Sequence, residues 1–203
     1  MKCICIGRNY VDHVHELNNQ VPDEPVVFLK PDTAVLQNNA PFYHPEFSSD
    51  IHHEIELIFR VCKEGKYIDE AFAMDYVDKI GIGIDFTARD LQQQLKEKGL
   101  PWEKSKAFNQ SAVLSNWLPI AQFPDLNQIG FELNVNGILR QKGHSSLMMF
   151  RLPQIIAHVS RYFTLKVGDV IFTGTPKGVA AVSIGDQLEG FLEGQKLLDF
   201  PIK

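Results

Sequence analysis

Three acidic residues, Glu54, Glu56 and Asp85, are the candidates for a metal site. Glu54 and Glu56 occupy even positions in a stretch whose odd positions are apolar, namely Ile51, Ile55, Leu57, Phe59 and Val61. Because a β-strand sends residues i and i+2 to the same face, both carboxylates should project from one side of a strand. With Asp85, 29 positions after Glu56, they form an all-oxygen set that suits Mg²⁺ or Mn²⁺. The alternative for an isolated E-x-E pattern is a solvated acidic strand face.

A histidine and a glutamate near the N-terminus have the spacing of a catalytic pair. His13 and Glu16 lie at i and i+3 of a predicted helix, Tyr10 to Leu17, and therefore share one face. A carboxylate beside an imidazole raises its basicity and orients it, as a general base that activates water requires. The alternative is a surface ion pair. The predicted helix, with Asn9 as its cap, has only about two turns and needs packing to be stable, so residues 1–20 could form a lid.

Five further residues are candidates for substrate contacts. Arg89 and Gln92 share a face on the first turns of the helix after Asp85, and a guanidinium there could bind a carboxylate with two hydrogen bonds. Lys106 could hold an enolate or a carboxylate as a point charge, although most lysines simply lie on the surface. Thr175 could donate its hydroxyl or its N–H to a ligand, and the role of Lys30 is ambiguous.

The elements that must position these residues are mainly strands. Strand patterns occur at Lys2–Ile6, Ile51–Cys62, Lys79–Asp85, Gly130–Val135, Ile138–Lys142, Asp169–Thr173 and Gln187–Ile202. Asn136-Gly137 predicts a hairpin with a type I′ turn, and Glu193-Gly194 is predicted to turn the last hairpin. Many short strands and few helices favour an α+β, mainly β fold over a doubly wound sheet.

The sequence contains residue patterns that predict the starts of two helices. Thr87 and Asp90 read as a capping box that starts a helix, which should run to Lys98 and stop at Gly99. Asp85 then lies where a strand passes into a helix. Another helix is predicted to start at Pro153, with its apolar residues facing inward, namely Ile155, Ile156 and Val159.

Composition narrows the class of protein. The 203 residues, 44% of them hydrophobic, can bury the core of a single domain over 1–203. The net charge of −5 argues against nucleic-acid and acidic-membrane partners. No apolar run approaches the ~18 residues that span a bilayer. Cys3, Cys5 and Cys62 form no C-x-x-C pair, which fits a reducing cytoplasm, and Cys3 and Cys5 are predicted to share one buried strand face.

The motifs together resemble the fumarylacetoacetate hydrolase family, and specifically its short acylpyruvase and oxaloacetate decarboxylase branch. The matching segments, in chain order, are Gly7–His13, Phe28–Pro31, His52–Leu57, Asp85–Asp90, Gly99–Trp102 with Lys106, Val135–Gly137 and Thr173–Val179. The resemblance implies a mixed β-sandwich roll and a homodimer. It assigns a divalent metal, usually Mg²⁺, to Glu54, Glu56 and Asp85, and the action on water to His13 and Glu16. Substrate and enolate contacts fall on Lys106, Arg89, Gln92 and Thr175, and less directly on Lys30.

The activity implied is cleavage of the C3–C4 bond of small 2-oxo acids through a metal-bound enolate. An acylpyruvate would be hydrolysed by water that His13 and Glu16 activate, whereas oxaloacetate would lose CO₂ without a nucleophilic water. Because the same enolate could also exchange a proton at C3, keto–enol tautomerisation of oxaloacetate is the alternative. An isomerase or hydratase of aromatic breakdown and a metal-stabilised protein without turnover also stay open. One departure from the family pattern is Ala180-Ala181 in place of Gly-Pro, which should alter a turn near the site.

Overall fold

A mixed sheet of eight strands carries most of the predicted site. The computed structural model describes residues 1–16 and 20–203. The strands run in the order β2-β1-β12-β5-β6-β8-β3, and β9 pairs with β6. Their bounds are β1 Cys3–Gly7, β2 Val26–Lys30, β3 Val35–Leu36, β5 Ile55–Val61, β6 Val77–Asp85, β8 Ala112–Leu114, β9 Leu118–Pro119 and β12 Val170–Phe172. The long central strands β5 and β6 are antiparallel neighbours, and they are buried along most of their length because other strands flank them on both sides.

Two smaller sheets complete the β-structure. One is a meander in the order β11-β10-β14-β15, with β10 Gly130–Val135, β11 Ile138–His144, β14 Gln187–Leu192 and β15 Gln195–Pro201. Its burial alternates along β10 and β14, as expected for a sheet with one face on the core. The other joins three short strands in the order β13-β4-β7, namely β4 Ile51–His53, β7 Thr87–Ala88 and β13 Ala180–Ala181.

The α-helices lie around these sheets. They are α1 Val11–Glu16, α2 Arg89–Glu97, α3 Glu103–Lys106 and α4 Leu152–Tyr162, and 3₁₀ turns occupy Asp32–Ala34, Glu70–Tyr76, Ile120–Gln122 and Ser145–Leu147. As predicted, α4 buries Ile155, Ile156 and Val159. In the described part of the chain, no helix has the length and apolar character needed to cross a membrane.

The large sheet and the meander pack face to face around one apolar core. Phe131 and Leu133 of β10 share this core with Ile55, Leu57 and other residues of the large sheet. A second, smaller cluster on the opposite face of the large sheet contains Cys3 and Cys5, which are both fully buried. The predicted mainly β, α+β architecture and the predicted position of these two cysteines are confirmed.

Several local predictions hold because they rest on backbone geometry. Asn136 and Gly137 have φ values of +54° and +74°, as a type I′ turn requires. Glu193 and Gly194 turn the last hairpin with positive φ as well. Gly99, at φ +62°, ends α2 one residue after Lys98.

Other local predictions are wrong where a tertiary contact intervenes. The capping box is absent: α2 begins at Arg89 without a side-chain cap, and Asp90 instead binds the Ser48 hydroxyl at 2.7 Å. Ala180-Ala181 forms β13, paired with β4, and not a turn. The hydrogen bonds described for the side-chain amide of Asn9 join it to backbone groups of Phe150 and Thr173. The helix that it was predicted to cap spans Val11–Glu16, and the predicted end at Leu17 lies outside the described residues, as does that part of the predicted lid.

Candidate active site

One cavity brings together most of the predicted site residues. Eight of the ten line it, namely His13, Glu54, Glu56, Asp85, Arg89, Gln92, Lys106 and Thr175. The acidic residues lie on its inner wall, at the ends of β5 and β6. The helices α1, α2 and α3 and the segment after β12 supply the rest. Glu16 and Lys30 do not line the cavity, and they act through the residues that do.

The strand that was predicted to run from Ile51 to Cys62 is interrupted at the first glutamate. The chain passes from β4 to β5 at Glu54, where it changes from the small sheet to the large one. The Glu54 carbonyl accepts a hydrogen bond of 2.9 Å from the Asp85 N–H. This contact fixes Asp85, the last residue of β6, beside the two glutamates.

The three carboxylates form a compact buried cluster. Glu54, Glu56 and Asp85 are each at most 4% exposed, and each offers an oxygen within 4.8 Å of the oxygens offered by the others. Glu56 Oε2 accepts a hydrogen bond of 2.7 Å from the Gly174 N–H. Burial, with the negative charges of Asp85 and Glu54, raises the pKa of Glu56 well above its usual range. A hard oxygen donor set whose negative charges repel one another fits a divalent cation.

Glu54 differs from Glu56 because cations contact it directly. Its Oε2 accepts a hydrogen bond of 2.7 Å from Lys106, and its Oε1 pairs with Arg89. Burial opposes ionisation of Glu54, but the charges of Lys106 and Arg89 outweigh it and hold the pKa well below the usual value. The neighbouring cations therefore favour the ionised form of Glu54.

Lys106 is the central cation of the inner wall. Its ammonium lies 2.7 Å from a carboxylate oxygen of Glu54, 2.7 Å from one of Asp85 and 2.5 Å from the Thr87 hydroxyl. Burial disfavours its charge, but Asp85 and Glu54 raise its pKa above the usual value. The Thr87 hydroxyl, which was predicted to cap α2, instead accepts a hydrogen bond from the Lys106 ammonium. Since these three contacts use the three N–H bonds of Lys106, its contact with a substrate requires that one of them be exchanged.

The prediction that Lys30 contacts substrate is corrected by its position behind the triad. Lys30 is fully buried and lies 2.7 Å from Asp85 Oδ1. Its ammonium also donates to the Ser111 hydroxyl at 3.0 Å and to the carbonyls of Ser111 and Lys106. It neutralises Asp85 and ties α3 to the large sheet, and the side chain has no access to the cavity.

His13 and Glu16 form the predicted pair on α1. His13 is 5% exposed, and its Nδ1 lies 3.1 Å from Glu16 Oε2. A carboxylate at Nδ1 favours the tautomer with the proton on that nitrogen, which leaves Nε2 as an acceptor. The other oxygen of Glu16 accepts from the Gly178 N–H at 2.9 Å, and Lys177 pairs with Asp12 at 2.9 Å. The segment after β12 therefore docks α1 against the cavity.

A buried glutamine that we did not predict links two walls of the site. The Gln141 amide oxygen accepts from the Ile55 N–H at 3.0 Å and contacts His53 Nδ1 at 2.9 Å. Its nitrogen donates to the Thr175 hydroxyl at 2.9 Å, and Thr175 donates to the Ile55 carbonyl at 2.8 Å. Gln141 thus holds the chain on either side of Glu54. The sequence feature that could have identified Gln141 is its position between two basic residues, Arg140 and Lys142. On β11 these two residues are exposed, whereas Gln141 faces inward.

Arg89, Gln92 and two further cations complete the cavity. Arg89 donates to Gln92 Oε1 at 2.6 Å, and its buried Nε has no hydrogen-bond partner among the described residues, which leaves a donor for a carboxylate. Arg8 and Lys96 also line the cavity and were not predicted. Arg8 has φ +60°, a conformation that is costly for residues other than glycine.

Comparison with known proteins identifies similar enzymes. The family model for the fumarylacetoacetate hydrolase C-terminal domain matches residues 2–199. The mitochondrial oxaloacetate tautomerase FAHD1 of Mus musculus is 44% identical over 98% of this chain and 90% of its own. The mitochondrial oxaloacetate decarboxylase of Dictyostelium discoideum is 41% identical over 95% of this chain and 89% of its own.

A solved structure extends the comparison to the fold. The fumarylpyruvate hydrolase of Pseudomonas aeruginosa, in complex with Mn²⁺ and pyruvate, is 33% identical and superposes with a TM-score of 0.94, covering 100% of this chain and 89% of its own. The predicted roll and the prediction of an enzyme are confirmed. This chain belongs to the fumarylacetoacetate hydrolase family.

Proposed function

We propose that this protein converts small 2-oxo acids through an enolate, and that keto–enol tautomerisation of oxaloacetate is its first activity. The observation that carries the proposal is the convergence of a buried carboxylate triad and the His13–Glu16 pair on one cavity. A base that faces a site of stabilised negative charge is what proton transfer at C3 requires. The names of the tautomerases among the relatives support the same chemistry.

The residues of the inner wall would hold a divalent cation, Mg²⁺ or Mn²⁺. Glu54, Glu56 and Asp85 supply hard oxygen donors within 4.8 Å of one another. A cation bound there would supply positive charge near the 2-keto oxygen, where the enolate charge develops. The Mn²⁺ of the fumarylpyruvate hydrolase structure supports a site of this kind.

The chain's own groups divide the remaining work. Arg89, with its buried and unpartnered Nε, would bind the C1 carboxylate, and Gln92 would orient the guanidinium through their 2.6 Å hydrogen bond. His13 would take the C3 proton on Nε2, because Glu16 stabilises the imidazolium from Nδ1. Lys106 keeps the inner wall near charge balance, and its raised pKa makes it a poor base at neutral pH.

Hydrolysis of acylpyruvates is the second candidate function. Buried His13, paired with Glu16, could activate water to attack a C4 carbonyl, so that the C3–C4 bond breaks and its electron pair passes to the enolate of pyruvate. The similarity to the fumarylpyruvate hydrolase favours this candidate. Decarboxylation of oxaloacetate would need neither a base nor a water. We expect a cytoplasmic homodimer.

The test compares substrates, cation and one matched pair of variants. Loss of enol-oxaloacetate absorbance and release of pyruvate from oxaloacetate and acetylpyruvate are measured with Mg²⁺, with Mn²⁺ and with EDTA. Cation-dependent tautomerisation is expected, with Glu56→Gln inactive and Glu132→Gln, a change on the meander, fully active. Tautomerisation that persists both in EDTA and in Glu56→Gln would overturn the proposal.

A further inference from the structure

Two cations of the cavity are not used by the reaction described above. Arg8 follows β1, and Lys96 lies in the last turn of α2. Both line the same cavity as the carboxylate triad. On α2, Arg89, Gln92 and Lys96 are separated by three and then four residues, so they share one helix face. This face therefore presents polar groups from the triad to the mouth of the cavity, over a rise of ~10 Å.

The charge of the inner wall is already matched without these two cations. Glu54 and Asp85 are in contact with Lys30, Arg89 and Lys106, so that three cations face the three carboxylates of the cluster. Lys96 is exposed and Arg8 is half-buried, so both add positive charge on the solvent side of the cavity, although the chain as a whole carries a net charge of −5. Burial, and then the charges of Arg8 and Arg89, lower the pKa of Lys96, which is consistent with cations gathered around one volume.

We propose that Arg8 and Lys96 form a binding site for the distal carboxylate of a 2-oxo dicarboxylic acid. The inference rests on the proposed function, in which Arg89 holds the carboxylate next to the keto group. Two cations at the mouth are complementary to a second carboxylate on the same substrate. The positive φ of Arg8 is a cost that the fold bears at this position. Oxaloacetate and fumarylpyruvate, the compounds named for similar proteins, both carry such a second carboxylate.

This site also affects which reaction oxaloacetate undergoes. In decarboxylation the C3–C4 bond breaks, its electron pair becomes the enolate, and the C4 carboxylate leaves as neutral CO₂. Cations held against that carboxylate stabilise its charge before the bond breaks and not afterwards, so they raise the barrier. Tautomerisation moves a proton between C3 and the 2-oxygen and leaves the C4 charge in place. Arg8 and Lys96 therefore favour tautomerisation over loss of CO₂.

The experiment uses Arg8→Gln, Lys96→Gln and the double variant, with Lys98→Gln as the control. Lys98 is exposed at the end of the same helix and is not among the residues that line the cavity. For the double variant we expect kcat/KM for oxaloacetate tautomerisation to fall ~10- to 100-fold, mostly through KM. Cleavage of acetylpyruvate, which has no distal carboxylate, should change less than ~3-fold, and the ratio of pyruvate release to tautomerisation should rise. Equal losses on both substrates, or an unchanged ratio, would overturn the inference.

A binding measurement separates this inference from the proposed function. If the unmodified enzyme turns over neither substrate, the proposed function fails, and the site is tested with unreactive ligands. Succinate, with two carboxylates, should raise Tm more than butyrate, with one, and the double variant should lose this difference while Lys98→Gln keeps it. Equal stabilisation by both ligands would indicate that the apolar groove beside Phe28 and Trp102 receives the distal end of the substrate instead.

Discussion

The inner and outer walls of the cavity are built in opposite ways. The inner wall, with Glu54, Glu56 and Asp85, belongs to β5, β6 and their junctions in the middle of the large sheet. The outer wall, with His13, belongs to a helix of six residues that also carries Glu16. That helix is docked by an exposed ion pair and by one hydrogen bond from a loop N–H. The charged groups of the inner wall are thus fixed by the core, whereas the pair that we propose moves protons lies on a short helix.

Under the proposed function, this difference would separate substrate binding from proton transfer. The inner wall would hold the 2-oxo acid in the same way in each candidate reaction. His13, with Glu16, would supply the base that tautomerisation and hydrolysis need. A variant on one wall should therefore have effects that a variant on the other wall does not have.

The largest effect is expected for Asp85→Asn on the inner wall. The change leaves the buried ammonium groups of Lys30 and Lys106 without one of their counter-charges, and breaking a buried ion pair costs ~3–5 kcal/mol. The free energy of unfolding in urea, measured without added cation, should fall by that amount. Asp78→Asn, which breaks the more exposed pair with Arg60, should cost less than ~1 kcal/mol. Similar costs at the two sites would show that the inner wall is not held by its charges.

The next largest effect is expected for His13→Ala on the outer wall. Acetylpyruvate cleavage and oxaloacetate tautomerisation should fall by ~10²- to 10⁴-fold because both need the imidazole as a base. Decarboxylation, which needs no base, should be largely retained. The matched control is His52→Ala, since His52 also pairs with an acid, Asp50, at 2.9 Å but does not line the cavity. Equal losses in all three reactions would contradict the assignment of His13.

A smaller effect is expected for Gln141→Leu, which removes the link between β5 and the segment around Thr175. The Ile55 N–H would lose its described side-chain partner, and a buried unsatisfied group costs ~1–3 kcal/mol. Urea unfolding measures this loss, and kcat/KM should fall because the segment around Thr175 is no longer tied to β5. Gln187→Leu, which breaks a bond between neighbouring strands of the meander, should leave kcat/KM unchanged. If kcat/KM falls as much in Gln187→Leu, the link has no specific role.

The smallest effect on stability is expected for Asp12→Asn, which breaks the exposed pair with Lys177. The free energy of unfolding should hardly change because solvent screens the pair. Hydrogen exchange in α1 should nevertheless become faster, and exchange in β6 should not change. Glu189→Gln, which breaks an exposed pair with Lys196, should leave exchange in α1 as it was. If α1 is the predicted lid, Mg²⁺ with oxalate should slow its exchange, and an unchanged rate would argue against a lid.

Much of the site could be predicted because its signals are local. The alternation around Glu54 and Glu56 places both carboxylates on one side of the chain, and the structure keeps them together although the strand breaks between β4 and β5. The i, i+3 spacing of His13 and Glu16 likewise brings their side chains within 3.1 Å. In both cases the backbone period alone determines which side chains can meet.

The sequence alone therefore determined the carboxylate pair, the His13–Glu16 pair, the hairpin turns and the mainly β character, because each depends on neighbours a few residues apart. Only the tertiary structure decided the roles of Lys30, Thr87 and Gln141. Lys30 neutralises Asp85 across 55 positions of sequence, Thr87 binds Lys106 and caps no helix, and Gln141 joins β11 to β5. Their partners come from distant segments, and a buried charge or polar group takes the partner that the fold brings to it. No local pattern contains that information.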